Sequence, residues 1–234
     1  MVLSIMTTGA MAKTINVGTN AEFAPFEFMD KDTKEIAGFD IDLINAIIKT
    51  TGNTTNIMNM GFDGLIPALK TNTIDVAATG MTITEARKKQ VNFSDPYYHG
   101  GLVILIQKKD ENLLKTIKDL EGKKLCAQIG TTGAIEAKKI KNAKVKEYNG
   151  LPEAFMDLST GGCNAVIGDK PVVDEYLKVK GSGNLKVFPQ MLNSEYLGFA
   201  VNKKNTQLLK QINEGLKKVK ESGEYDKIYA KWFN

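Results

Sequence analysis

Of the 31 basic residues in this chain of 234, only Arg87 is an arginine. A guanidinium is a planar fork of five donors that grips a carboxylate through two parallel hydrogen bonds, which a lysine ammonium cannot reproduce. Residue identity alone leaves two readings open: a carboxylate-binding fork, or a stray surface arginine in a lysine-biased genome. The neighbouring residues, Ala78-Thr79-Gly80-Met81-Thr82-Ile83-Thr84-Glu85-Ala86-Arg87, read as a strand end, a glycine turn and a helix start with converging hydroxyls. A second such word, Gly130-Thr131-Thr132-Gly133, opens a helix further on. Asp169, before Lys170-Pro171, could accept from an ammonium or cap the following helix.

Other chemistry is sparsely supplied. His99 is the only histidine, so histidine zinc sites and a serine triad are not expected, and no metal or cofactor is assigned. Cys126 and Cys163 lack CxxC spacing; they are read as free buried thiols, with one disulfide as the alternative. The net charge is only +4, and no basic stripe alternates with aromatics, which argues against a nucleic-acid partner. No apolar stretch reaches the ~18 residues of a membrane span. Residues 1–12 are uncharged and end Ala10-Met11-Ala12, the small-x-small pattern of a signal-peptidase site. They are expected to be a signal remnant or an expression scar.

The elements that must position these residues alternate along the chain. Strands are expected at 15–18, 56–60 and 74–78. A helix at 39–50 carries Ile41, Ile44, Ile47 and Ile48 on one face, and a second follows Phe62, with Asp63 as its cap. A second set follows: strands at 102–107, 124–128, 145–148 and 165–167, with helices opening near 131, 152 and 170. The end of the chain reads as a strand at 197–201 and helices at 205–222 and 224–233. Strand–helix–strand order implies parallel pairing with helices on both faces, hence two α/β lobes. In open α/β sheets ligands bind beyond the carboxyl ends of the strands. Asn20, Phe62, Thr79, Gly80, Thr82, Gln128, Thr131, Thr132 and Asp169 all fall at or just beyond such ends.

The words Gly18-Thr19-Asn20-Ala21-Glu22-Phe23-Ala24-Pro25-Phe26-Glu27-Phe28, Gly38-Phe39-Asp40-Ile41-Asp42-Leu43, Phe62-Asp63-Gly64-Leu65-Ile66-Pro67, Phe93-Ser94-Asp95-Pro96-Tyr97-Tyr98 and Tyr229-Ala230-Lys231-Trp232-Phe233 carry a family likeness. Together with residues 81–87 they resemble the extracytoplasmic polar amino-acid-binding proteins of bacterial ABC importers (solute-binding protein family 3, glutamine/arginine-binding type). The resemblance covers residues 13–234. It implies a type II two-lobe clamp, each lobe a mostly parallel sheet flanked by helices. Lobe one would hold residues 13–97 and 198–234, lobe two residues 102–192, with hinges at 98–101 and 193–197.

The resemblance also implies roles. Arg87 would take the ligand α-carboxylate, with Thr82, Thr79 and the backbone at Gly80 in support. Asp169 would take the α-ammonium from the opposite lobe. Phe23 and Phe62 would sandwich the ligand side chain, and Thr131 and Thr132 would donate to the carboxylate. Asn20 stands where relatives often carry an acid, and Gln128 matches a position that is basic in a glutamine-binding relative. Two amides offer no countercharge, so a neutral ligand, glutamine, is expected first, with arginine or lysine second through Glu22 or Asp63. No catalysis is expected; the alternatives are a dehydratase on the same fold and the sensing domain of a receptor. The expected partners are an amino acid and a membrane ABC permease, the expected state a monomer. The expected place is periplasmic or extracytoplasmic, with a lipid anchor on a longer precursor left open.

Overall fold

The computed structural model describes residues 12–180, 183–188 and 191–234; apart from Ala12, the expected leader lies outside the described residues. The chain begins with β1 (Thr14–Thr19), β2 (Glu22–Phe23), β3 (Glu27–Met29), β4 (Ile36–Ala37), α1 (Phe39–Lys49) and β5 (Thr54–Asn59). It continues with α2 (Phe62–Lys70), β6 (Val76–Ala77), α3 (Glu85–Lys88), β7 (Val91–Phe93) and β8 (Tyr98–Gly100). Then come β9 (Leu102–Gln107), β10 (Lys124–Gln128), α4 (Thr132–Lys139), β11 (Lys144–Tyr148), α5 (Leu151–Thr160), β12 (Ala165–Asp169), α6 (Lys170–Lys180) and β13 (Leu185–Val187). The chain returns through β14 (Glu195–Leu197) and β15 (Ala200–Asn202) and ends with α7 (Thr206–Glu221) and α8 (Glu224–Phe233).

These elements build two lobes. The first lobe's sheet has the order β5-β1-β6-β15-β7, and the second lobe's the order β11-β10-β12-β9-β13. The parallel pairing expected of strand–helix–strand runs holds for β5-β1-β6 and β11-β10-β12. The remaining strands, β15 and β7 in one sheet and β9 and β13 in the other, pair antiparallel. Each sheet is therefore mixed. β8 and β14 form an antiparallel ribbon of their own, pairing Glu195 with Gly100 and Leu197 with Tyr98.

The apolar periodicity explains the packing. α1 buries Ile41, Ile44, Ile47 and Ile48, and its first turn carries Asp40 and Asp42, acids that suit a helix N-terminus. Against it lies α7, burying Leu208, Ile212, Leu216 and Val219. Gly215 lets the two helices approach closely: a Cβ there would lie 2.8 Å from the Ile47 side chain. β9 and β12 are buried along their whole length, as continuous apolar strands covered on both faces must be.

Four expectations change. Asp63 does not cap α2; Gly61 precedes the helix and Phe62 already lies within it. The strand at 74–78 shortens to Val76–Ala77, and beyond it Thr79 and Gly80 bond within the first lobe to Asn20, Glu27 and Asp40 rather than to a ladder. The strand at 197–201 divides into β14 and β15, since Gly198 bonds to the Met81 carbonyl and Phe199 to the Ser94 hydroxyl, outside either ladder. Cys126 and Cys163 are joined in a disulfide, their Cα atoms 6.2 Å apart, because β10 runs beside the start of β12. No helix among the described residues is long and apolar enough to cross a membrane.

Candidate binding site

The carboxyl ends of β1 and β6 in one lobe and of β10 in the other meet across a cleft, where Gln128 bonds to Asn20, Arg87 to Gly130, and Thr82 lies beside Thr132. Its floor is the turn after β6. Gly80 adopts φ +54° there, and its amide donates to Asp40 Oδ2 at 2.7 Å. The same oxygen accepts the Tyr97 hydroxyl at 2.5 Å. Burial pushes the Asp40 carboxyl up to about 7, against the pull of these two bonds. Thr79 donates to Glu27 Oε1 at 3.0 Å and accepts from the Asn20 amide at 3.0 Å. The Glu27 carboxyl is held well above its ordinary range by burial and then by the Asp40 charge. Thr79 therefore braces the floor from beneath, and Phe23 fills the space against Gly80, where a Cβ would lie 2.7 Å from its ring.

Arg87 sits on the four-residue α3, which is capped by the Thr84 hydroxyl accepting the Arg87 amide at 3.2 Å. The residue is only 7% exposed. Nη1 donates to the Thr82 carbonyl at 2.7 Å, and Nη2 reaches across to the Gly130 carbonyl at 3.1 Å. The guanidinium carbon lies 5.3 Å from the centre of the Phe62 ring, a cation–π contact. Desolvation lowers its affinity for the proton, and the nearby charges of Glu195 and Asp169 oppose that.

The second lobe contributes through α4 and the end of β12. Thr131 is the N-cap of α4: it accepts from the Ala134 amide at 3.2 Å and donates to the Gln128 carbonyl at 2.7 Å. Thr132 and Thr82, from opposite lobes, bring their hydroxyl oxygens to 3.5 Å. Asp169 is 8% exposed, and its carboxyl is pushed up to about 8 by burial and the Glu195 charge, with Arg87 opposing. Gln128 Nε2 donates to Asn20 Oδ1 at 2.7 Å across the cleft and to the Asn149 carbonyl at 2.9 Å. Asn20 Nδ2 in turn donates to the Met60 carbonyl at 3.2 Å. Gln128 Oε1 is buried with no partner among the described residues.

The fold thus brings together Asn20, Phe62, Gly80, Thr82, Arg87, Gln128, Thr132 and Asp169 around one cleft, and turns the hydroxyls of Thr79 and Thr131 to structural bonds. Three carboxylates carry no sequence signal of their role. Asp40 and Glu27 lie inside words of the family likeness, but nothing in their spacing shows that they brace the floor. Glu195 lies on β14, with no motif around it. Its Oε2 accepts from Thr82 at 2.7 Å and Thr132 at 2.9 Å, and its Oε1 from Asn193 Nδ2 at 2.8 Å. At the rim, Glu22 and Glu153 face each other from the two lobes, and the Glu22 carboxyl is raised by partial burial and by the charge of Glu153.

The family described as "Bacterial extracellular solute-binding proteins, family 3" matches residues 15–234. The chain is 39% identical over 239 residues to ABC transporter arginine-binding protein 1 of Escherichia coli (strain K12), covering 99% of this chain and 96% of that protein. Among solved structures, an ancestral arginine-binding protein bound to glutamine superposes with a TM-score of 0.90 at 44% identity, covering 96% of this chain and 99% of the other. An ancestral arginine-binding protein bound to arginine does so with 0.89 at 43% identity, covering 94% and 98%.

Proposed function

The chain belongs to the bacterial extracellular solute-binding proteins, family 3, and from that premise we propose that it is an extracytoplasmic receptor that closes on a polar L-amino acid and hands it to an ABC permease. Lobe one is residues 13–97 and 198–234, lobe two residues 102–192, and the segments 98–101 and 193–197 are the hinge.

The observation that carries this reading is Arg87. It is a nearly buried guanidinium at the lobe junction that makes no ion pair among the described residues. An α-carboxylate supplies the missing anion, in a charge-assisted contact of about 1.5–3 kcal/mol. Asp169 receives the α-ammonium, and Phe23 and Phe62 flank the side chain. Because the two charged ends are held by different lobes, the ligand favours the closed form that only it completes.

At the distal end Gln128 Nε2 donates to Asn20 and Asn149 and Asn20 Nδ2 donates to Met60, which leaves Gln128 Oε1 as a buried acceptor without a partner among the described residues. A side chain made only of donors suits that environment better than one whose own carbonyl must find a donor. The rim carboxylates Glu22 and Glu153 favour positive charge. Arginine is therefore the first ligand proposed. Glutamine is the second, in keeping with the similar ancestral protein that was solved with glutamine bound.

Calorimetric titration of unfolded and refolded protein, freed of carried-over ligand, against the common L-amino acids tests the reading. Tight binding of arginine, lost in Arg87→Ala and Asp169→Asn, is expected. Silence across the panel would overturn it, and tight binding of glutamine alone would overturn the argument from Gln128.

A further inference from the structure

We propose, on the footing of the binding reading above, that Glu195 is a positioning residue for the α-ammonium: it draws the hydroxyl protons of Thr82 and Thr132 to itself and so turns their lone pairs, as one acceptor edge, toward the cleft. A threonine hydroxyl has a single proton and two lone pairs, and an ionised carboxylate can only accept. Both hydroxyls donate to the same oxygen, Glu195 Oε2, at 2.7 and 2.9 Å. Neither proton is then free for a ligand carboxylate, which is the role expected of these threonines from sequence.

The direction of the whole chain of bonds is dictated from one end. The Leu102 backbone amide can only donate, and it donates to Asn193 Oδ1 at 2.9 Å. That orients the Asn193 amide so that Nδ2 faces Glu195 Oε1, at 2.8 Å. Glu195 accepts there and accepts again from the two threonines. The chain runs from β9 of the second lobe, through the returning segment beside β14, to Thr82 of the first lobe and Thr132 of the second. Recognition of the ligand carboxylate is left to Arg87 and backbone amides. Recognition of the ammonium is shared by Asp169 and the two oxygens. Glu195 is 7% exposed and places a second negative charge near Asp169 and Arg87, which further favours a cation at this end.

The test is a network inversion. In Glu195→Gln the introduced amide must turn its NH2 either toward Asn193 Nδ2, where donor meets donor, or toward the threonines, whose protons are then forced into the cleft. Adding Asn193→Asp keeps an acceptor for the Leu102 amide and gives the introduced NH2 an acceptor, so its oxygen faces the threonines again. The readout is the affinity of L-arginine and L-glutamine relative to their des-amino analogues, δ-guanidinovalerate and glutaramate. Glu195→Gln is expected to lower the preference for the amino acid by about tenfold or more, and the double variant to restore it to within about threefold. Thr132→Val, which leaves the hinge untouched, is expected to lower the same preference. Equal weakening of both compounds, an unchanged preference, or a folded double variant without restoration would each sink the role of Glu195. A wild-type protein that binds neither amino acid overturns the receptor reading and this inference with it; wild-type binding with an unaltered preference in the variants overturns the inference alone.

Discussion

At the scale of single residues, the cleft floor depends on carboxylates kept in place by burial. Asp40 holds its proton to about pH 7 in the folded protein, far above its ordinary value. Between about pH 4 and that point the folded state therefore binds more protons than the unfolded chain, and stability falls as pH rises. The upper limit of this contribution is about 4 kcal/mol, since each tenfold gain in proton affinity is worth ~1.36 kcal/mol. Asp40→Asn keeps an acceptor for Gly80 and Tyr97 and is expected to flatten the dependence of unfolding free energy on pH across that window; denaturant titrations at several pH values would measure it. Asn20→Asp keeps the acceptor for Gln128 and adds a charge at the distal end. It is expected to raise the ratio of arginine to glutamine affinity by roughly tenfold, in paired calorimetric titrations. Arg87 was legible as a functional candidate because its type is unique in the chain. Glu195, Asp40 and Glu27 were not, because an acidic residue in an ordinary word looks the same whether it faces solvent or braces a floor.

At the scale of elements, short spacing decided what long periodicity could not. The word Gly38-Phe39-Asp40-Ile41-Asp42 sends alternate acids to different tasks: Asp40 points inward to Gly80 and Tyr97, while Asp42 accepts from Trp232 Nε1 at 2.8 Å and Lys231 at 2.7 Å on α8. The first turn of α1 thus ties the cleft floor to the C-terminal helix. The turn after β6 is equally constrained. Gly80→Ala combines a positive φ with a Cβ 2.7 Å from the Phe23 ring, and is expected to cost about 1–3 kcal/mol of unfolding free energy in urea titrations. Helices with one strong apolar face, such as α1 and α7, were readable within a residue or two. β6 and the β14–β15 pair were misjudged in length, because their ends are set by bonds to segments distant in sequence, which periodicity does not report.

At the scale of the whole molecule, the second lobe carries one disulfide, and polar bonds such as Arg87 to Gly130 and Gln128 to Asn20 cross between the lobes. The Cys126–Cys163 disulfide closes a loop with a sequence separation of 37. Replacing both cysteines by serine is expected to lower stability by about 4 kcal/mol or less, in the loop-entropy account, as read by thermal and denaturant unfolding. Arginine at a hundredfold excess over its dissociation constant should add about 2.7 kcal/mol and raise the melting temperature. The sequence by itself determined the alternation of strands and helices, the two-lobe α/β class and the family, because these follow from local periodicity and from words of a few residues. It also marked the strand ends that surround the candidate site. Only the tertiary structure decided what those residues do to one another: that Gln128 donates to Asn20 across the cleft, that the cysteines pair, and that the hydroxyls of Thr82 and Thr132 turn to Glu195. The physical reason is that hydrogen-bond direction and carboxylate burial depend on neighbours from β1, β10, α4 and β14, which the chain brings together only on folding.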